Sequence, residues 1–407
     1  MTDEVIIKPI ARNLIFGPLA MFFIVWNVVL FLYSFHFSEL LYYSTAQAFL
    51  ATYFIIGCFF IGWLLAKLGG GQGKSNNSHI VTSSFLTVLN KRKRFFFRLW
   101  CLVTFIEIIY CQGIPIIWML IGNGKTYFDF GIASVHGFLN SLILSLSLVS
   151  YYLYLQTKRK NHLFIPIFTC FWALAVISRN LLIVNIIQLA ILHFYFVKIN
   201  YYKLLKSLLL LFVLILVFGV VGDFRTGKEA FFNLAVVNDN YPDWLPSGFL
   251  WVYMYLVTPL NNLINVFTLV VPEWNVGLSN STVLLIPSFL RNVIYGDLSY
   301  DSTYYLVTQA FNVSTAYVDP YRDLGYSGVF IFASVAGFFV TYLNGKTNFK
   351  SIMFFCILMQ CNVLSVFYNH YMYLPIIFQL VVIYFCFTVS YKKRTSVHAR
   401  TEKKHNI

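Results

Sequence analysis

LWVYMYLVTPLNNLINVFTLVV, residues 250–271, decides how this chain threads. The stretch is apolar enough to pass for a membrane span. Read so, it inverts everything after it and separates Lys346, Lys350 and the basic carboxyl-terminal tail from the other basic segments. Thr258, Pro259, Asn261, Asn262 and Asn265 argue against that reading. Irregular or polar backbone at membrane depth is tolerated only against protein or a wet cavity. The stretch is therefore read as a re-entrant or interfacial helix, paired with the short apolar run 283–290. Both lie in one large loop, 223–326, that roofs a cavity.

Working outward, ten long apolar segments flank this loop, at roughly 13–35, 46–66, 99–121, 134–156, 163–178, 180–197, 207–222, 327–344, 351–368 and 372–390. Each approaches the ~20 residues that cross ~30 Å of hydrocarbon, and lipid admits them only as helices. The chain is 59% hydrophobic and 11% charged, against about 25% charged in soluble domains. The first segment has no small-residue cleavage site behind it and reads as an uncleaved anchor. Alternating the segments through a bilayer puts 23 of the 29 lysines and arginines on one face and leaves only Lys125, Arg179, Arg225, Lys228, Arg291 and Arg322 on the other. Cytoplasmic loops are enriched in Lys and Arg, so the first face is cytoplasmic. The net charge of +14 is then a topology signal and not a nucleic-acid footprint.

The expectation is an all-α polytopic membrane protein of about ten transmembrane helices (10–12), one integral domain over 1–407, with both termini cytoplasmic. A basic, flexible cytoplasmic loop spans 67–98, and a basic cytoplasmic tail spans 391–407. No cytoplasmic segment has the length of a folded domain. Gly-Gly-Gly-Gln-Gly-Lys-Ser within 67–75 imitates a phosphate-binding loop but fails. Leu68 stands where the first glycine is needed, and a membrane helix rather than a strand precedes it. The seven cysteines sit in or beside apolar segments without Cys-x-x-Cys spacing, which favours small core residues over a zinc site or disulfides. The loop carries neither Asp-x-Asp nor His-Glu-x-x-His, so no metal and no cofactor is expected.

The external bases are few, and four are arginines. Arg179 begins the sixth segment in Ser178-Arg179-Asn180, Arg225 follows the seventh beside Asp223, and Arg291 and Arg322 lie in the large loop. Arginine's planar fork matches phosphate oxygens and stays charged; otherwise such residues snorkel or pair with the loop's acids. Glu107 falls inside the third segment, where an ionisable group is costly. It could orient an arginine, accept a proton from a sugar hydroxyl, or pair with another helix. His370, at an external mouth beside Tyr368, Tyr371 and Tyr373, and His136, at the start of the fourth segment, are proton-transfer candidates or members of an aromatic belt. Tyr241, Trp244, Tyr300, Tyr304, Tyr305 and Tyr321 could stack on sugar rings.

These residues in this order resemble the oligosaccharide repeat-unit polymerases of bacterial surface polysaccharide assembly, the O-antigen polymerases of Wzy type. Glu107 to Gly113 with Pro115, then Tyr127, Phe130-Gly131-Ile132 and His136, resemble the family's Glu…Gly-x-Ile-Pro and Tyr…Phe-Gly-Ile…His stretches. Ser178-Arg179-Asn180, Gly222-Asp223-Phe224-Arg225-Thr226-Gly227, Tyr255…Thr258-Pro259…Asn262-Leu263 and Asn312…Thr315…Tyr321-Arg322-Asp323-Leu324-Gly325…Gly328 continue the match over about 100–330. The Arg-x10-Gly pattern of some members does not fit, because Ala190 and Val236 occupy the glycine positions.

The resemblance implies a multi-pass enzyme of the bacterial inner membrane, for which a GT-C-like bundle is one compatible architecture. It implies transfer of a glycan from undecaprenyl pyrophosphate to the next lipid-linked repeat unit, without metal or nucleotide. Arg179, Arg225 and Arg291 would hold the pyrophosphate, with Arg322, Asp223, His136, Tyr255, Asn262 and Tyr321 lining the substrate. Glu107, His370 or Asp323 would activate the acceptor hydroxyl. A chain-length regulator and a flippase of the same pathway are the implied partners. The competing readings are an O-antigen ligase using the same donor, and a lipid-linked oligosaccharide flippase. The flippase should carry more charge through its spans. A mannosyltransferase-like enzyme expects acids in the first external loop, which offers only Glu39.

Overall fold

The computed structural model describes residues 5–11, 13–69, 78–200, 227–274, 277–295 and 305–387, with Tyr202, Leu205, Lys206, Leu209 and Phe212 between. The expected span 207–222 (Leu209 and Phe212 apart), residues 70–75 of the phosphate-loop imitation, Asp223, Arg225, Tyr300, Tyr304 and the basic tail lie outside the described residues. Among the described residues the chain is helical except for one antiparallel ribbon. There β1 (Val5–Pro9) pairs with β2 (Ser78–Thr82), Val5 opposite Thr82 and Pro9 opposite Ser78. The all-helical expectation missed this pair, whose strands are short but rich in β-branched residues.

The helices are α1 (Pro18–Tyr33), α2 (Thr45–Leu68), α3 (Ser83–Cys111), α4 (Pro115–Ile121), α5 (Val135–Thr157), α6 (Phe164–Ala175) and α7 (Arg179–Phe196). After the gap come α8 (Lys228–Leu234), α9 (Ser247–Leu269), α10 (Ser288–Tyr295), α11 (Val318–Asn344), α12 (Phe349–Leu364) and α13 (Leu374–Val382). Five stretches among the described residues are long and apolar enough to cross a membrane: Thr45–Leu68, Ser83–Ile121, Val135–Thr157, Arg179–Phe196 and Val318–Asn344. α1, α12 and the helix from Leu374 to Phe387 are apolar but shorter.

The third segment departs most from expectation. Residues 83–98, read as flexible loop, are the first half of α3. Thr82 caps it by accepting the Phe85 amide at 3.3 Å. Arg92 donates to the Cys386 carbonyl at 3.0 Å, and buried Lys93 meets His162 Nδ1 at 2.9 Å, so these bases tie the helix to its neighbours. The helix stops at Cys111, well before residue 121. Gln112 adopts φ 60°, and Pro115, which cannot continue a helix, opens α4 instead. Lys125 donates to the Cys111 carbonyl at 3.2 Å, a cation on the negative end of the helix dipole. One of the six scarce bases thus has a structural partner.

Buried apolar residues form two clusters. One joins α3, α5, α6, α7, α12 and α13; the other joins α1, α2, α9, α11 and the connectors around them. In the second, α2 and α11 approach closely through Gly62 and Gly337, and Ser334 donates to the Cys58 carbonyl at 2.9 Å. In the first, three buried glutamines interlock. Gln188 of α7 donates to Gln360 of α12 at 3.3 Å and to Gln379 of α13 at 2.9 Å, and Gln379 donates back at 2.7 Å.

The basic connectors meet at one end of the bundle. Asn13 donates to the carbonyls of Phe194 and Val197, Tyr195 to that of Lys346, and His79 bonds the Thr347 carbonyl and the Tyr152 hydroxyl. The opposite end gathers residues 33–43, 127–136, 228–323 and 365–375, within the described residues.

The 250–271 stretch is helical throughout α9, with Pro259 inside it. Its three asparagines are buried, and each makes a hydrogen bond to a neighbouring segment. Asn261 accepts from Tyr33 at 2.6 Å. Asn262 donates to the Val313 carbonyl at 2.9 Å and accepts from the Val307 amide at 2.9 Å. Asn265 donates to the Tyr305 carbonyl at 2.9 Å. From Phe37 against Tyr253 to Tyr43 against Thr268, α9 runs along the connector between α1 and α2. The polar residues that made this stretch ambiguous are the staples that hold its neighbouring loops.

Candidate functional site

The break after α3 builds the first part of the site. Because the helix ends at Cys111, Glu107 lies one turn from its end rather than at mid-span, while its side chain remains fully buried. The next segment folds back over it. The Ile132 amide donates to Glu107 Oε1 at 3.1 Å, and His136 Nδ1 meets Oε2 at 3.2 Å. Gly131, at φ +113°, lies so close to the imidazole that a Cβ there would stand 2.7 Å from His136 Cβ and Cγ. Phe130 packs edge-on against the same ring with centroids 5.3 Å apart. The Phe-Gly-Ile…His spacing is thus a turn that fixes the imidazole on a buried carboxylate. With Nδ1 bonded to Glu107, Nε2 is the nitrogen left for a substrate proton.

His136 opens α5, and Ser134 and Gly137 beside it form one wall of a cavity of about 200 Å³. Arg291 of α10 lines the cavity too, with Tyr373 and Pro375 completing the wall at the start of α13. Ser141 donates to the Pro375 carbonyl at 2.6 Å, which locks α5 to α13 at this point. Tyr368 lies within electrostatic reach of Arg291, Asp319, Tyr373 and Tyr305. Its ring packs edge-on against that of Tyr373 with centroids 5.8 Å apart. A second cationic group, Arg322, is buried, 3.8 Å from Asp319 Oδ1 and over the Tyr305 ring at 5.9 Å.

A kink positions that second group. Leu324 and Gly325 break the helical backbone of α11, with Gly325 at φ +61°. A Cβ on Gly328 would collide with the Pro320 carbonyl oxygen at 2.0 Å. The Tyr-Arg-Asp-Leu-Gly…Gly pattern is therefore a fold-back that presents Arg322 and Asp323 from a short leading turn. Asp323, fully buried, accepts the Asn280 amide at 2.9 Å and the Ser281 amide at 2.8 Å. Both oxygens are committed to pinning the 279–282 turn ahead of Arg291, a positioning task. Tyr321 donates to the Phe267 carbonyl at 3.3 Å, and Tyr255 packs among Trp251, Phe311 and Phe367. Like Asn262, they join α9 to its surroundings.

Of the expected site residues that are described, Arg291 alone lines this cavity, and Arg179 and His370 do not. Arg179 is exposed at the first turn of α7 and does not line the cavity that Arg291 lines. Ile177, β-branched at φ +55°, and the Ser178 cap on the Leu181 amide at 3.3 Å set the turn that carries it. His370 packs edge-on against Tyr368 and Tyr373 without lining the cavity. Burial pushes its imidazole down to about 4, so the folded protein holds it neutral. The unfolded ring, near 6.5, takes its proton first as pH falls, so stability is full above that pH and is lost as pH drops toward 4. A melting series in detergent from about pH 7 to about pH 4.5 should fall, and His370→Phe should flatten it. An equally steep fall in the variant would remove His370 as the cause.

Tyr368, Tyr373 and Asp319 are the site residues that sequence reasoning passed over. In sequence the tyrosines look like an interfacial belt, and Asp319 is one of nine acids in its loop. Its place three residues before Arg322 on a helical turn was the available signal. Among the described residues no group of His, Cys, Asp and Glu could hold a metal ion. No family model, curated protein or solved structure matches this chain. The fold is that of a helical protein with several helices suited to a membrane, and its chemistry has to be argued from the site itself.

Proposed function

We propose that this chain is a membrane glycosyltransferase of the repeat-unit polymerase type. It passes a glycan from a polyprenyl pyrophosphate to a hydroxyl of another lipid-linked unit, at the external face of the bacterial inner membrane. One observation carries the reading: Arg291 lines the same small cavity as Ser134 and Gly137, the residues on either side of the imidazole that Glu107 holds. The convergence of basic connectors at the far end supports a cytoplasmic placement for that end and about ten spans in all. α9, stapled to external connectors, then serves as the roof.

In this reading His136 Nε2 takes the proton from the acceptor hydroxyl, whose oxygen attacks the donor's anomeric carbon. The bond from that carbon to the pyrophosphate oxygen breaks, and the glycosidic bond forms. Arg291, with Arg322 behind it, stabilises the charge that grows on the leaving pyrophosphate. Glu107 holds the imidazole in register and stabilises it once protonated. The cavity fits a head group, while the glycans lie along Tyr305, Tyr368 and Tyr373.

The test is the surface glycan of a deletion strain complemented with Arg291→Ala. Single repeat units on the lipid core, with long chains absent, are expected. Polymer accumulating on the isoprenoid carrier would instead mean a ligase, and no external lipid-linked unit at all would mean a flippase. If Arg179→Ala abolishes long chains while Arg291→Ala leaves them intact, the cavity is not the site.

A further inference from the structure

A second cavity lies at the other end of the bundle, among the described residues. It is a groove of about 720 Å³ between α1, α2, α7 and α11. Its walls are apolar: Phe16, Leu19, Phe23, Ile56, Phe60 and Ile191 among others. Its floor is opened by small residues, Gly17, Ala20 and Gly57. A Cβ built on Gly57 meets nothing within 4 Å, so the glycine leaves space that no side chain of the protein fills. Its cation, Lys67, sits at one end with Asn13 and Asn344 also in the lining, and the Tyr53 hydroxyl at the other end donates to Asn27 at 3.0 Å. Lys67 Nζ lies 5.7 Å from the centroid of the Trp63 ring, beside the apolar channel.

Length and charge identify an occupant. From Tyr53 to Lys67 the groove follows α2 for about 21 Å at 1.5 Å per residue, while half of the hydrocarbon core is about 15 Å. A channel of that reach, cationic at its outer rim and apolar down to mid-membrane, matches one acyl chain with its phosphate beside Lys67. The volume falls in the range of small-ligand sites, about 300–1,000 Å³. The rim also lies among the basic connectors, where an anionic leaflet is drawn. We infer that this groove is a binding site for one anionic phospholipid of the leaflet at the basic end, its acyl chain over Gly57 and its phosphate on Lys67. The site is separate from the Arg291 cavity and stands whether or not the glycosyltransferase reading holds.

Native mass spectrometry of the full chain released from detergent tests this directly. The wild type is titrated with phosphatidylglycerol, phosphatidylethanolamine and undecaprenyl phosphate. Retention of one phosphatidylglycerol in preference to the other two is expected. Gly57→Phe, which fills the channel, should lose that adduct at an unchanged melting temperature. Lys67→Gln should weaken it about fivefold and abolish the preference over phosphatidylethanolamine. Should Gly57→Phe misfold, Lys67→Gln alone decides. Unchanged retention in Lys67→Gln, equal retention of the zwitterionic lipid by the wild type, or stronger retention of undecaprenyl phosphate would each overturn the assignment.

Discussion

Glu107→Gln is expected to lower polymer formation by about 10²–10⁴-fold while the protein still folds and inserts. The carboxylate is fully buried, and both oxygens are used, one on the Ile132 amide and one on His136 Nδ1. The amide keeps the size and one accepting oxygen, so the turn survives. It removes the negative charge that steadies the imidazole when it takes a proton. His136→Gln should reach a similar floor, and the double variant should fall no further than either alone, because two residues acting as a unit are not additive. The measurement is polymer formed by purified enzyme from lipid-linked units, with a melting curve as control. Wild-type rates from a well-folded Glu107→Gln protein would leave the pair a structural clasp and nothing more.

Gly62→Val should be the most damaging single change in α2. A Cβ at this position would stand 1.8 Å from the Ser334 carbonyl oxygen and 2.6 Å from its carbon. The obstruction is backbone on α11, and rotamers cannot relieve it. Gly337 approaches the Phe59 carbonyl oxygen from the other side, with 2.4 Å for the same probe, so the helices cannot slide apart at one residue alone. Losses above about 4 kcal/mol come from overpacking of this kind. Gly57, five residues earlier on the same helix, supplies the control: Gly57→Ala meets open space and gains about 0.5–1 kcal/mol of helix propensity. Thermal melts of the two variants in one detergent should therefore move in opposite directions. A Gly62→Val protein that melts within about 2 °C of the wild type would refute the close packing of α2 on α11.

The sequence made the helical class legible because hydropathy and charge are properties of single segments. Five helices suited to a membrane follow from that, and so do the boundaries of α2, α5 and α7 to within a residue or two. The third segment was misread for a physical reason. Hydropathy ran on through Gln112-Gly113, where the backbone turns left-handed, and it missed the polar half of α3, where Arg92 and Lys93 bond neighbouring elements while Lys91, Arg94 and Arg98 are exposed. The ribbon escaped because its strands are far apart in sequence and each is only five residues long.

The candidate site was half legible. Glu107 and His136 were both singled out, but their pairing depends on where α3 stops. Arg291 and Arg322 were marked by the scarcity of external bases. What linked them, Tyr368 and Asp319, was hidden in a tyrosine-rich chain of 28 such residues. Asn262 stands out as a polar residue in an apolar stretch, and Asp323 through the family resemblance. Their hydrogen bonds show the commonest reason for such residues, which is to satisfy backbone groups of loops that have no ladder of their own.

The small ribbon has a consequence for biogenesis. Val5–Pro9 acquires its partner only when Ser78–Thr82 has been synthesised, and the whole α1–α2 pair lies between them. The 5–9 strand therefore stays unpaired until both helices have been synthesised. Closure of the strand pair then tethers the start of the chain to the start of α3. The strand pair thus acts as a drawstring around the α1–α2 hairpin.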